Sequence, residues 1–349
     1  MRGHRTFVIG LAAFVILGGI APFATNRYIL NSVLDYFFIY VALAESYDIL
    51  GGLMGYVDLG ITVYFGAGAY VFAILYHVLR WSAPEALVVA AAFSAFLGLL
   101  VSFPMFRLRG FYFAVATLAL VPLGQYIVLA PSLGKWTNGV GGISGIQANS
   151  FDSYYAIFAF AILSVVLVFA ISRSRLGLAL LSIREDEQVA ESSGINTRLM
   201  KKVAMVICAT LSGISGCLFA WSQGTILPST VFSLYLAFIP VTFALFGGTG
   251  TVIGPIVGTG VYSLLDFVLH SSQVQNSQVA WLSSYEQAIV GIFLIVVGLF
   301  APDGILGFSR RIYAKRQRRS WLSRSTENKE IRAQSPLQVE ERAGESKDL

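Results

Sequence analysis

Long apolar runs alternate with short polar breaks along this chain. Near-continuous apolar stretches lie at 7 to 24, 29 to 50, 61 to 79, 84 to 106, 111 to 131, 154 to 172, 203 to 224, 231 to 247, 255 to 270 and 285 to 301. Each approaches the ~17 to 25 residues that an α-helix needs to cross a bilayer. The pattern predicts an all-α, polytopic membrane protein of about ten transmembrane helices, some of them broken at Gly-rich segments. It also predicts two domains, a transmembrane unit over 1–309 and a polar tail over 310–349.

One internal region breaks the apolar rhythm. Arg173 to Lys202 reads RSRLGLALLSIREDEQVAESSGINTRLMKK and carries six Lys or Arg and four acids between two long apolar runs. Hydrocarbon cannot hold so many charges without paired partners, so this island faces water and a protein. From the residues alone, a solvated loop and a docking helix are both open.

Composition agrees with the pattern. Hydrophobic residues make up 56% of the chain and charged residues 12%, with a mean hydropathy of +0.71, which excludes an ordinary soluble domain. Charge then orients the helices. With ten spans starting inside, 21 of the 24 Lys and Arg fall on the cytoplasmic side, leaving Arg27, Arg80 and Lys135 outside. Both termini and the island are therefore expected in the cytoplasm. Arg2 and Arg5 before an apolar stretch, and Ala21-Pro22-Phe23-Ala24 after it, imitate a secretory signal. An uncleaved first helix keeps the charge count and the even number of spans consistent.

The net charge of +5 originates in the tail, where residues 310 to 349 hold eleven basic and six acidic side chains. Arg310, Arg311, Lys315, Arg316, Arg318 and Arg319 directly follow the last span, placed to meet anionic lipid rather than nucleic acid. Beyond Trp321 the tail is polar and without apolar periodicity, as in disordered segments.

Acids inside or beside the spans are Asp35, Glu45, Asp48, Asp58 and Asp266. They mark a solute or ion path or, for those near a membrane surface, ordinary polar ends; Glu45 is the most deeply placed. Glycine is abundant. GGLMGYVDLGITVYFGAGAY from Gly51 and GGTGTVIGPIVGTGVY from Gly247 share a Gly pair after an apolar helix and a later Gly-x-Gly-x-Tyr, which suggests an internal repeat of parallel sense. Translocation-path candidates are thus Glu45, Asp48, Asp58, Gly66, Gly68, Gly247, Gly248 and Gly250. The external loop from Pro131 to Ser153, with Lys135, Trp136, Thr137, Asn138 and Gln147, suits either docking of a binding protein or plain connection.

Catalytic chemistry is not indicated. His4, His77 and His270 are scattered, Cys208 and Cys217 lie too far apart for a CxxC motif, and neither a metal-ligand spacing nor a GxxxxGK[ST] phosphate loop occurs. No cofactor or metal is expected in this chain, and it is not itself an ATPase.

The island's SIREDEQVAESSGIN, Ser182 to Asn196, resembles the cytoplasmic signature of LivM-type permeases, the membrane subunits of branched-chain amino-acid ABC importers. LRGFYFAVATLAL from Leu108, TNGVGGI from Thr137, FGGTGTVIGP from Phe246 and FAPDGILGF from Phe300 resemble further landmarks in the same order, so the likeness covers about residues 40 to 310. It implies a bacterial inner-membrane permease that pairs with a LivH-like permease, two cytoplasmic ATPases that bind the ATP, and an extracytoplasmic solute-binding protein. It also implies that the island couples to the ATPase, with Arg184, Glu185, Glu187, Ala190 and Gly194 as contact positions and Trp136, Thr137 and Asn138 meeting the binding protein. A helix over Ile183–Ser193 is expected, ended by Gly194, with Arg184 pairing Glu187 or Gln188 and with Ile183, Ala190 and Ser193 forming a smaller stripe for docking.

The likeness has departures. Where the family pattern has an Asn and then Ser-Leu-Gly-His, this chain has Asp48 and Asp58-Leu59-Gly60-Ile61. Urea, short amides and other amino acids therefore stay open as solutes, as do a sugar-type ABC permease and an ion-coupled secondary transporter.

Overall fold

The computed structural model describes residues 33–146 and 149–269, with scattered positions between 10 and 22 and Gly291. Most of the predicted first span, the span at 285 to 301 apart from Gly291, the FAPDGILGF landmark, Gln147, the Asp266 side chain and the basic tail lie outside the described residues. By compactness the chain divides into Met1–Gly304 and Ile305–Leu349, and every described residue belongs to the first unit.

That unit is helical almost throughout. Helix α1, Asp35–Asp48, runs into a π-helical turn at Ile49–Leu53, and α2, Ile61–Ala73, into another at Ile74–Val78. Helix α3, Ala83–Met105, starts at a capping box in which Ser82 and Glu85 satisfy each other's backbone N–H groups, with Pro84 in the first turn. Helices α4, Phe111–Leu129, and α5, Ser150–Arg173, follow. The island supplies α6, Arg175–Glu185, and α7, Glu187–Ser192; then come α8, Thr197–Gln223, α9, Leu234–Gly247, and α10, Ile253–Leu269.

Six helical segments are long and apolar enough to cross a membrane: Ile61–Val78, Ala83–Met105, Phe111–Leu129, Phe151–Arg173, Thr197–Gln223 and Pro228–Gly247. The protein is a multi-pass membrane protein. One boundary differs clearly from expectation. The run predicted at 203 to 224 begins earlier, at Thr197, because Asn196 accepts the Leu199 N–H at 3.1 Å and so caps a helix that includes Arg198, Lys201 and Lys202. Apolar content sees where lipid-compatible sequence starts, whereas the cap sets where the helix starts.

Helix α8 is the centre of the bundle and α4 its periphery: 72% of the α8 window is buried against 28% for α4. Small residues make the centre tight. A Cβ on Gly68 of α2 would collide with the Gly213 carbonyl of α8, one on Gly216 with the Phe65 carbonyl, and one on Gly98 of α3 with Ala209. Ser212 Oγ donates to the Ile61 carbonyl at 2.9 Å and Cys217 Sγ to that of Gly68 at 3.3 Å, adding polar links across the close approach. Helix α1 packs against α5, α8, α9 and α10. At the opposite end from the island, strand β1, Ile143–Ser144, pairs antiparallel with β2, Thr225–Ile226, and so ties the 131–149 loop to the end of α8.

Candidate functional site

The charged island is two helices joined at a sharp corner, not one helix over Ile183–Ser193. Asp186 adopts an extended conformation (φ −160°, ψ 115°), and its carboxylate accepts the N–H groups of Gln188 at 2.8 Å and Val189 at 3.1 Å, which starts α7. An aspartate competes well for backbone donors, so the acidic run that reads as helix surface supplies a cap instead. The far end is as expected. Gly194 has φ +85°, its N–H bonds to Glu191 O at 3.0 Å, and the Ile195 N–H bonds to Ala190 O at 3.1 Å, a Schellman closure.

Arg184, at the end of α6, does not pair with Glu187 or Gln188. Its guanidinium donates to the Gly52 carbonyl in the π turn after α1, and its stem lies over Gly55. Beside it, Asp48 accepts the Gly250 N–H at 2.8 Å across 202 residues of chain. Gly52 and Gly250 face each other so closely that a Cβ on Gly52 would meet the Gly250 nitrogen at 2.5 Å, and Gly250 has φ +74°. The two Gly-rich stretches thus meet at one joint, and the island is bonded to it through Arg184.

Glu187, the first residue of α7, makes a second link. It accepts hydrogen bonds from Tyr56 Oη at 2.9 Å and from Lys201 Nζ, Lys201 also donates to Tyr56 Oη at 2.8 Å, and Arg109 stands 3.7 Å away. Burial alone pushes the Glu187 carboxyl up, but the hydrogen bonds from Lys201 and Tyr56 and the charges of Lys201 and Arg109 outweigh it. The carboxyl is held below its ordinary range. Lys201 is only 3% exposed, and its charge is tolerated there because Glu187 is its partner.

These contacts divide the predicted coupling residues. Ala190 and Ile183 are buried in the chain's own core, and Glu187 is engaged internally, whereas Glu185, Gly194 and Ser193 are exposed. Ile183 and Ala190 of the small stripe expected to serve a partner therefore seat the island on its own bundle, while Ser193 stays at the surface. Val189, missed in the sequence, is 59% exposed, an apolar side chain turned outward on α7.

Of the path candidates, Asp48 and Gly250 meet at the joint, and the others have separate neighbours. Gly66 packs against the Phe232 ring, Gly68 against Gly213, and Gly247 against the Gly254 carbonyl, with Gly248 in the turn after α9. Asp58 is buried and caps its own turn, accepting the Gly60 N–H at 2.8 Å, while Thr117 takes the Leu59 N–H at 3.1 Å. Asp35 accepts from Ser222. Glu45 is fully buried with no hydrogen-bond partner for either carboxylate oxygen among the described residues.

The family described as branched-chain amino acid transport system / permease component matches residues 28–298. The chain belongs to that family. The high-affinity branched-chain amino acid transport system permease protein LivM of Escherichia coli is 26% identical, over 86% of this chain and 75% of its own length. LsrC, the autoinducer 2 import system permease of Salmonella paratyphi B, is 27% identical over 65% of this chain and 62% of its own. The permease LivH of Salmonella typhimurium is 29% identical over 53% and 57%. No solved structure matches. The resemblance to LivM-type permeases read from the landmark segments is borne out.

In this permease the loop after α4 separates its predicted docking residues. Trp136 and Asn138 are exposed, but Thr137 is 2% exposed and donates to the Val128 carbonyl at 2.9 Å, so it braces the loop on α4 from within. Among the described residues no group of three or more His, Cys, Asp or Glu is placed to hold a metal ion.

Proposed function

We propose that this permease is the membrane-spanning subunit of an ABC importer for branched-chain or related amino acids. In this reading an extracytoplasmic binding protein delivers the solute, a LivH-like permease completes the pore, and two cytoplasmic ATPases drive the cycle. About ten spans, a parallel internal repeat and cytoplasmic termini belong to the same proposal, supported by the apolar runs and the distribution of Lys and Arg.

The observation that carries the coupling assignment is the bond from Arg184 to Gly52 beside the Asp48–Gly250 contact. An exposed segment that is rigidly capped at both ends is thereby tied to the junction of two broken, Gly-rich helices. Force applied at its outer face reaches backbone that can shift, since π turns and glycines lie there. The contact set proposed for the ATPase is accordingly Glu185, Val189 and Gly194 at the surface, with Arg184 and Glu187 transmitting through their bonds to Gly52 and Lys201.

The test is uptake by the assembled, reconstituted transporter carrying Glu185→Lys and Val189→Asp. Both positions are exposed, so membrane insertion and assembly with the second permease should persist while ATP-driven uptake falls about tenfold or more, the scale of losing a small hot-spot cluster. Uptake equal to wild type would overturn the coupling assignment. The solute is addressed separately, by measuring which amino acids, urea or amides raise the thermal midpoint of the cognate binding protein.

A further inference from the structure

A cavity of about 520 Å³ opens between the end of α3 and the start of α8, and five of its lining side chains are basic: Arg107, Arg109, Arg198, Lys201 and Lys202. Only two acids, Glu187 and Glu191, share the lining, and both are engaged within the chain. Glu187 serves Lys201, Tyr56 and Arg109, and Glu191 accepts from Thr197 Oγ1 at 2.6 Å. Arg107, Arg198 and Lys202 are therefore without a carboxylate partner among the described residues. Three free cations converging on one concave site call for an anion.

The surface that leads into the cavity says which kind. Phe96, Leu100 and Phe103 are 59%, 53% and 55% exposed and recur at helical spacing on the outer face of α3, a stripe that runs along the bundle to the cavity's edge. Phe103 lines the cavity, and Lys202 Nζ lies 3.9 Å from the centre of its ring. Charge and lipid-facing apolar surface thus adjoin at one side chain. A soluble anion has no use for the stripe, whereas a phospholipid needs both parts.

We propose that this cavity binds the phosphate headgroup of an anionic phospholipid whose acyl chain lies along the Phe96–Leu100–Phe103 stripe. Arginine forks suit phosphate oxygens, and Lys202 reaches the headgroup while its stem stays on the apolar ring. Basic pockets between membrane helices hold anionic headgroups in this manner. The site is separate from the basic tail and does not depend on which solute is carried. Because Glu187 and Lys201 form its inner wall, a bound lipid would brace the island against α3 and α8.

The test uses the full-length chain purified in detergent, with native mass spectrometry counting bound phosphatidylglycerol against phosphatidylcholine. Wild type should retain phosphatidylglycerol in preference, and a variant carrying Arg107→Gln, Arg198→Gln and Lys202→Gln should lose about a hundredfold of that preference, since each of the three headgroup-facing charges is worth about fivefold. If the triple variant does not fold, the single exposed variant Arg198→Gln should lower the preference by about that fivefold. Millimolar inorganic phosphate should leave the bound lipid in place; displacement would show a free-phosphate site and overturn the lipid assignment. An undiminished preference in the pocket variants overturns it as well. So does loss of the preference on neutralising Arg310 to Arg319 instead, or a pocket variant that weakens only association with the ATPase.

Discussion

A single carboxylate shows how the joint is held. The Oδ1 of Asp48 accepts the Gly250 N–H at 2.8 Å. An amide oxygen at the same place can accept that bond equally well, so Asp48→Asn should leave thermal unfolding nearly unchanged. Asp48→Ala should cost about 1–3 kcal/mol, the penalty for an orphaned buried donor, read as a lowered unfolding midpoint. An equal loss of stability in both variants would mean that the charge of Asp48, not its acceptor, matters. The presence of Asp48 was legible in the chain; its partner was not. A hydrogen bond to a residue 202 positions away leaves no local trace.

The same limit holds for Glu187 and Arg184. At helical spacing they look like a pair, yet the corner at Asp186 turns them toward different neighbours, Lys201 and Gly52. Sequence spacing identifies who could meet on an unbroken helix, and one capping side chain removes that premise.

At the scale of elements, the contact of α2 with α8 is the most exacting. In lipid, helices gain little from burying apolar surface, so close backbone approach and small residues hold them together. Gly68→Val should push against the Gly213 carbonyl, which cannot move aside as a flexible side chain would, and cost about 1–3 kcal/mol. The readout is the thermal midpoint of the purified chain, with Cys217→Ala as a comparison that removes only one weak bond and should cost less. The run Ser212-Gly213-Ile214-Ser215-Gly216 is as plain in the sequence as the Gly-rich stretches from Gly51 and Gly247, which suggest a path. Gly66 and Gly68, read there as path residues, are packed against Phe232 and Gly213. Composition alone does not tell a glycine that lines water from one that admits a helix.

For the molecule as a whole, the Glu187–Lys201–Tyr56 link couples the island to the bundle and makes that coupling sensitive to acid. Because the folded protein holds the Glu187 carboxyl below 4.5, the link is fully present above the ordinary carboxylate range and is lost as pH falls through the lowered value. Unfolding midpoints measured from pH about 7 down to about 3 should therefore show a wild-type decline at the acid end that is smaller in Glu187→Gln. That variant should already be less stable near neutrality, by about 2 kcal/mol or more, because it leaves the Lys201 charge buried without its anion. An acid limb of equal size in both proteins would assign the decline to other carboxylates.

What the sequence determined by itself was the class of the molecule, the approximate position of its described spans, the site of the charged island and the family. All of these rest on hydropathy, charge and short motifs, properties that each segment carries regardless of its neighbours. Tertiary structure alone decided that the two Gly-rich stretches meet at Gly52 and Gly250, that Arg184 bonds the island to that junction, and that Glu187 belongs to Lys201. The reason is physical. Where a chain can enter lipid depends on the free energy of transferring its own residues, whereas which donor finds which acceptor depends on distances that exist only after the helices have packed.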